Sequence, residues 1–368
     1  MTEISSTLEG MSAGVKAATK GRGAISNRTG RYETYSRSRD MEGVATGPKT
    51  TVTIERPQTI LTYNKSSAVG FDRSINPYRG CEHGCVYCFA RPTHAYLGLS
   101  PGLDFEHALI AKPDAPALLR KALLRPQYRA APIAIGTNTD PYQPIERSYR
   151  IMRDILKVLL EFNHPVTVLT KSASITRDID LLSELARRKL CYAMISITTN
   201  NKKLARAMEP RASSPAKRFD AVASLSAAGV PAGVMTSPMI PSLNDHEMEG
   251  LLECAKASGA SFAGYSVIRL PLEVSELFQE WLSAHEPNRA ARIMRHIRDN
   301  NGGRDYDPHW SRGGEIKAPY AKLIASRFRA AINRFGLTIE KPPLDCSAFA
   351  KPKSEDKQLS FFDESERE

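Results

Sequence analysis

From Leu61 onward, short apolar runs alternate with longer stretches in which apolar residues recur at helical spacing. The strand-like runs are 108–112 (ALIAK), 132–137 (PIAIGT), 165–170 (PVTVLT), 191–198 (CYAMISIT), 231–237 (PAGVMTS) and 261–268 (SFAGYSVI). Helical spacing predicts helices over 115–125, 145–162, 176–189, 215–228 and 245–258. The second is strongly amphipathic, with Ile151, Ile155, Val158, Leu159 and Phe162 on one stripe. Gly229 stands where a helix C-terminal glycine is expected. Such alternation predicts a parallel sheet with crossover helices. With a strand ahead of residue 76 the count is about six or seven, too few for a closed eight-stranded barrel. A flat doubly wound sheet gives the same alternation.

The flanks lack this rhythm. Residues 1–60 read as an irregular arm, with Gly21, Gly23, Ser26, Asn27 and Gly30 among Arg22, Arg28 and Arg31. That arm is a disordered leader, a wrap around the domain, or a set of phosphate contacts. Residues 61–275 form the core, and 276–340 a basic helical extension. There Arg289, Arg292, Arg295 and Arg298 recur every third residue, as a solvated face or a phosphate-contacting one. Residues 341–368 read as a disordered tail, from their prolines and charges.

Composition narrows the class. The chain has 368 residues, 41% apolar, with a net charge of +11. Trp281–Phe335 carries eleven Lys or Arg against five Asp or Glu, about half of the excess. No stretch is long and apolar enough to span a bilayer. The acidic, polar N-terminus lacks a signal core, and the grouped cysteines suit a reducing compartment, so a cytoplasmic protein is expected.

Three of the six cysteines fall within Asn76–Pro92, NPYRGCEHGCVYCFARP, as Cys81, Cys85 and Cys88. Three thiolates fit an iron–sulfur cube with one iron lacking a protein ligand. They also fit a zinc site completed by His83 or His94, or simply reduced thiols.

The C-x3-C-x-Y-C spacing followed by Phe89 resembles the signature of the radical S-adenosylmethionine (SAM) superfamily. The resemblance implies a partial (β/α)6 TIM-like barrel and a [4Fe–4S] cluster held by Cys81, Cys85 and Cys88. SAM then chelates the fourth iron and is cleaved reductively, giving a 5′-deoxyadenosyl radical that abstracts hydrogen from substrate. A small electron donor such as flavodoxin or ferredoxin is implied. Polar residues closing the strands are the candidate SAM contacts, because ligands of parallel sheets gather there. Thr137, Asn138 and Asp140, in GTNTDPYQP, stand where the family meets the methionine amino group, without the usual glycine-rich motif. Lys171 is a partner for the methionine carboxylate or a surface lysine. Ser196 and Thr198, two apart on one face, suit the ribose or pack as small core polar residues. Glu209 and Arg211, in MEPRASSP, resemble an element folding over the methionine end; a structural salt bridge is the alternative. Ser237 suits the adenine side. Tyr87 and Phe89 offer backbone and ring surface to adenine, or pack the loop against the barrel.

Within that superfamily, GTNTDPYQPIE and VLTKSASITRDIDLL resemble the spore photoproduct lyase-like, DNA-repair-type group, over about residues 61–270. The lyase proper carries a hydrogen-returning cysteine near the second-strand end, whereas Gly136–Pro144 has none. Cys191, Cys254 and Cys346 lie elsewhere, and Tyr142 is a substitute donor by position alone. In the tail, Gln358, Leu359, Ser360, Phe361 and Phe362 resemble the bacterial sliding-clamp-binding pentapeptide, with Phe361 in place of the usual leucine. The expected function is radical SAM chemistry on DNA, with RNA or a protein as alternative substrates. A non-catalytic, metal-binding, nucleic-acid-associated module is the reading from another class.

Overall fold

The computed structural model describes residues 19–32, 48–65, 69–308 and 318–352. The strands are β1 (Thr51–Ile54), β2 (Leu61–Tyr63), β3 (Arg73–Ile75), β4 (Tyr78–Arg79), β5 (Ala108–Ala111), β6 (Ile133–Ile135), β7 (Val166–Thr170), β8 (Cys191–Ser196), β9 (Ala232–Met239) and β10 (Phe262–Val267). The helices are α1 (Asp104–His107), α2 (Ala115–Leu123), α3 (Glu146–Tyr149), α4 (Ile151–Glu161), α5 (Ile179–Arg187), α6 (Lys202–Met208), α7 (Pro215–Ala227), α8 (Met248–Ala257), α9 (Glu273–His285), α10 (Ala290–Asn300) and α11 (Pro319–Phe335).

The larger sheet has the order β10-β9-β8-β7-β6-β3-β2. Its β3 and β6–β10 run parallel, and β2 pairs antiparallel with β3. Six parallel strands with crossover helices make a partial barrel, as expected. The helix-facing residues Ile135, Val168, Ile195 and Val234 meet the apolar stripes of α4, α5, α7 and α8. The helix expected over 145–162 is broken at Arg150, which takes a left-handed φ of 52°. The Glu146 carboxylate accepts the Met152 N–H at 3.1 Å and restarts the helix as α4.

The run 108–112, read as a strand of the main alternation, belongs to a second sheet of order β1-β5-β4. The chain reaches β5 after the cysteine loop, and Tyr78 and Arg79 on the entry to that loop pair with Ala111 and Ile110. The small sheet therefore closes the base of the loop. Its third strand, β1, lies in the segment read as irregular.

Residues 19–32 wrap the domain. Glu106 accepts the N–H groups of Gly23 and Ala24 at 2.9 and 2.8 Å. Arg28 pairs with Glu280 at 2.8 Å and with Glu276, and Arg31 with Glu273 at 2.9 Å. Both arginines thus bind carboxylates of the chain itself.

The tail expected to be disordered from 341 is packed as far as residue 352. Thr338 bridges Phe262 and borders the β10 edge. Asp345 N–H then donates to Lys189 O at 2.9 Å and Ala350 N–H to Phe162 O at 3.0 Å. Phe349 sits among Tyr128, Phe162 and His164. Those partners precede β6, β7 and β8, so the strap crosses the strand N-termini, at the end away from the cysteine loop. The pentapeptide Gln358–Phe362 lies outside the described residues. In α10, Ile293, Met294 and Ile297 are buried and the arginines face outward; Arg298 pairs with Asp305 at 2.6 Å. No helix among the described residues is long and apolar enough to cross a membrane.

Candidate active site

The cysteine loop leaves β4 and lies beside the C-terminal ends of the parallel strands. Gly80 and Gly84 turn it with φ of 72° and 67°, conformations that favour glycine. Backbone bonds fold it on itself: Gly84 N–H reaches Cys81 O at 3.3 Å and Cys88 N–H reaches Cys85 O at 3.2 Å. Gln143, fully buried, accepts Glu82 N–H at 2.9 Å and donates to Gly80 O at 3.1 Å. Arg91, fully buried, donates to Cys85 O at 2.9 Å and pairs with Glu106 at 2.5 Å.

Cys81 and Cys85 are buried and Cys88 is half-buried. Burial pushes all three thiols up, Cys81 and Cys85 most. Against that, the backbone amide of Asp140 favours the Cys81 thiolate and that of Ala90 the Cys88 thiolate. Naked thiolates are disfavoured in such a site, and a bound cation offsets the penalty. N–H groups aimed at sulfur are what cysteine ligands of an iron–sulfur cluster use. Among the described residues, no three His, Cys, Asp or Glu side chains converge as ligands of one ion would. Three thiols on one loop are a donor set that fits an iron–sulfur cube with one iron left without a protein ligand.

The strand ends bring the remaining candidates into one network. Asp140, after β6, accepts Thr170 Oγ1 at 2.6 Å and Lys171 N–H at 2.7 Å. Its Oδ2 lies 3.3 Å from His83 Nδ1. Burial alone would raise its pKa, but His83 and these donors outweigh it and hold the carboxylate below its usual range. Thr137 and Asn138 are half-buried on the same loop, whose Asn138 N–H donates to Asn76 Oδ1 at 3.1 Å. Lys171, after β7, donates to Ser196 Oγ at 2.6 Å and lies 3.3 Å from Thr198 Oγ1 and from Ser237 O. Its ammonium sits 5.7 Å from the Tyr87 ring centroid.

Glu209 forms the centre of the network. It is fully buried at the end of α6, takes the Thr198 hydroxyl at 2.7 Å and the Tyr87 hydroxyl, and pairs with Arg218. Burial would raise its pKa, but Arg218, then Lys171, hold it well below the usual carboxylate range. Burial, and then Glu209, push the Tyr87 phenol up. Tyr87 is thus a hydrogen-bonded phenol rather than an open ring surface. Phe89 is half exposed, with the Arg269 guanidinium 5.7 Å over its ring.

Arg211 pairs with Glu82 of the cysteine loop at 3.1 Å. The Ser237 hydroxyl turns to Ser266, and its carbonyl faces Lys171. Tyr142 is buried and donates to Asp178 at 3.1 Å. Arg218 escaped the sequence reading, yet it stands three, four and seven residues before the buried Ala221, Val222 and Leu225, a charge on an apolar stripe. Gln143 and Glu106 carried no local signal.

The family model of the radical SAM superfamily matches residues 75–255. An uncharacterised protein of Mycobacterium tuberculosis (strain ATCC 25618 / H37Rv) is 33% identical over 282 residues, 76% of this chain and 78% of that protein. The radical SAM Nalpha-GlyT isomerase of Pseudomonas phage M6 is 25% identical over 173 residues, 46% of this chain and 34% of that protein. Among solved structures, a mutant of spore photoproduct lyase superposes with a TM-score of 0.57 at 15% identity, covering 78% of this chain and 81% of that one. Another mutant, with bound AdoMet and dinucleoside spore photoproduct, superposes with a TM-score of 0.56 at the same identity and coverage. At such identity the likeness is one of fold.

Proposed function

Because the chain belongs to the radical SAM superfamily and is an enzyme of that class, we propose that Cys81, Cys85 and Cys88 hold its [4Fe–4S] cluster, that SAM binds beside them, and that its substrate is nucleic acid, DNA in a repair-like reaction. The observation that supports the cluster and SAM assignment is the union of the three loop thiols with the Lys171–Glu209 network at the strand C-terminal ends. When bound, the cluster and SAM would supply reductive radical chemistry that removes hydrogen from substrate.

The chain's own residues do the positioning. Lys171 presents its ammonium within 3.3 Å of the Ser196 and Thr198 hydroxyls, suited to the carboxylate and ribose of SAM. The Thr137–Asp140 turn offers acceptors to the amino group. Arg211, tied to Glu82, holds the segment after α6 against the cysteine loop. Tyr87 and Thr198 orient Glu209, whose charge keeps Lys171 and Arg218 in place.

The nucleic-acid reading draws on the basic extension and on the dinucleoside lesion bound to the similarly folded lyase. Gly136–Pro144 lacks a cysteine and the Tyr142 phenol is committed to Asp178, so hydrogen return follows another route than a residue of that loop. A flavodoxin or ferredoxin in the cytoplasm is the proposed electron source. Gln358–Phe362 is proposed to dock on a sliding clamp, from its sequence alone.

The test is anaerobic reconstitution with iron, sulfide, SAM and reductant, with DNA, RNA or peptide added, following 5′-deoxyadenosine. Formation accelerated by DNA supports the reading. Acceleration by peptide alone moves the substrate to protein. Loaded protein that never cleaves SAM under strong reductant returns the chain to a structural metal module.

A further inference from the structure

Where the backbone pairing of β8 with β9 ends, one side chain takes over. Ile197 N–H still donates to Met235 O at 3.0 Å. Farther along, Pro238 has no N–H to offer, and the carbonyls of Thr198 and Pro238 are left for other donors. Asn244, fully buried, supplies them: its Nδ2 donates to Thr198 O at 2.7 Å and to Pro238 O at 3.0 Å. A side-chain amide has two N–H donors and one oxygen, and this one uses all three, because its Oδ1 accepts Ile240 N–H at 2.6 Å. The same three bonds fix its orientation, since a flipped amide would set its oxygen against two carbonyls.

The turn that carries Asn244 is tight. Leu243 N–H and Asn244 N–H return to Ile240 O at 3.0 and 3.3 Å, and Ser242 takes a left-handed φ of 61°. Ile240 and Leu243 are buried in the same apolar cluster as Cys85, Val86 and Tyr87. Asn244 therefore joins the end of β8 to the end of β9, on a turn packed with the cysteine loop.

Its partner Thr198 lies at the centre of the candidate site. The Thr198 hydroxyl meets Glu209 at 2.7 Å, Ser237 O at 3.1 Å and the Tyr87 hydroxyl at 3.2 Å. A shift of the Thr198 backbone carries that hydroxyl with it. The methionine side is built differently. Lys171 is held by Ser196 at 2.6 Å and Glu209 at 3.3 Å, and neither is a hydrogen-bond partner of Asn244.

We infer that Asn244 is a positioning residue for the adenosine half of SAM. It sets the spacing between the ends of β8 and β9 and, through Thr198, the seat of the ribose. Being fully buried, it acts through those backbone groups rather than by contact. The inference rests on the SAM reading of the strand ends and adds the residue that shapes one half of that site.

The experiment is equilibrium dialysis of labelled SAM on reconstituted protein, competed separately by methionine and by 5′-deoxyadenosine. Asn244→Ala removes all three bonds. Asn244→Asp keeps the shape and the Ile240 bond but loses at least one donor, and it serves where the alanine variant loses iron. Iron content and thermal midpoint report folding. Each variant is expected to bind SAM about tenfold more weakly. The inhibition constant of 5′-deoxyadenosine should rise by the same factor, and that of methionine should stay at the parent value. A general loosening of the site would not produce this split. Equal weakening of both competitors, or of methionine alone, overturns the inference and makes Asn244 a structural residue. Parent-like constants for both competitors in an iron-loaded variant also overturn it, and leave the SAM reading standing. Parent protein that binds neither SAM nor either competitor overturns the SAM reading and this inference with it.

Discussion

Lys171 Nζ stands 3.3 Å from Glu209 Oε1 and 2.6 Å from Ser196 Oγ, so one ammonium joins the end of β7 to the end of β8 and to α6. The pair is almost wholly buried, with Lys171 15% and Glu209 0% exposed. Removing the cation takes away a charge-assisted donor to any carboxylate bound there, roughly 1.5–3 kcal/mol, or about 10- to 100-fold in affinity. Lys171→Met is expected to weaken SAM binding by that factor, read by equilibrium dialysis, while the iron content stays at the parent level. Unchanged affinity would make Lys171 a structural cation alone.

Glu209→Gln should act on the fold instead. It leaves Arg218, 1% exposed, and Lys171 without a counter-charge. Breaking a buried pair from one side costs about 3–5 kcal/mol. A clear drop in thermal midpoint is expected, with partial recovery in Glu209→Gln combined with Arg218→Met. A double variant no more stable than the single one would show that the pair is not coupled.

Substitution of Cys81, Cys85 or Cys88 by Ala is expected to abolish the brown colour and iron binding of anaerobically prepared protein. Cys191→Ala should retain both. The Cys191 thiol lies within β8, donates to Leu182 O at 3.2 Å and is pushed up to about 12 by burial, which suits a core thiol. Stoichiometric zinc in a colourless parent protein would contradict the cluster.

The parallel strands are legible because β-branched runs and helical stripes repeat on scales that sequence displays directly. Strand β5 is misplaced by its local pattern because its pairing with Tyr78 and Arg79 joins segments about thirty residues apart, with no local mark. The strap over 341–352 reads as disordered from its prolines and charges, yet one aromatic, Phe349, finds three ring partners and anchors it. At the site, strand-end polar residues are legible from period and position. Their partners are not, since Arg218 arrives from a helix and Gln143 from beyond a turn.

Gly23 tests the arm. A Cβ there would lie 1.8 Å from Gly84 O, a backbone atom of the cysteine loop that cannot yield cheaply. Gly23→Ala should lift residues 22–26, although Glu106 holds the two N–H groups beside it. Faster tryptic cleavage at Arg22 and Arg28 is expected, with shorter survival of the cluster in air. Parent-like rates in both assays would mean that the arm does not shield the loop.

The strap should respond to acid through His164. This ring is fully buried, with Nε2 2.7 Å from the Tyr128 hydroxyl and its face toward Phe349. Burial, opposed by the Pro165 carbonyl and reinforced by Arg73, lowers its pKa from 6.5 to about 4. The folded form therefore holds a neutral ring where an unfolded chain would take a proton. The stability it contributes is complete above pH 6.5, declines as pH falls, and levels off below about 4. The whole displacement corresponds to roughly 3 kcal/mol. His164→Gln keeps a polar partner for Tyr128 and removes the titration, so its thermal midpoint should fall less steeply over that window than the parent's. Hydrogen-exchange protection of the Ala350 N–H, bonded to Phe162 O at 3.0 Å, should fall over the same range in the parent, because protonating His164 undoes the ring cluster that holds Phe349. Parallel pH profiles for parent and variant would place the acid sensitivity elsewhere.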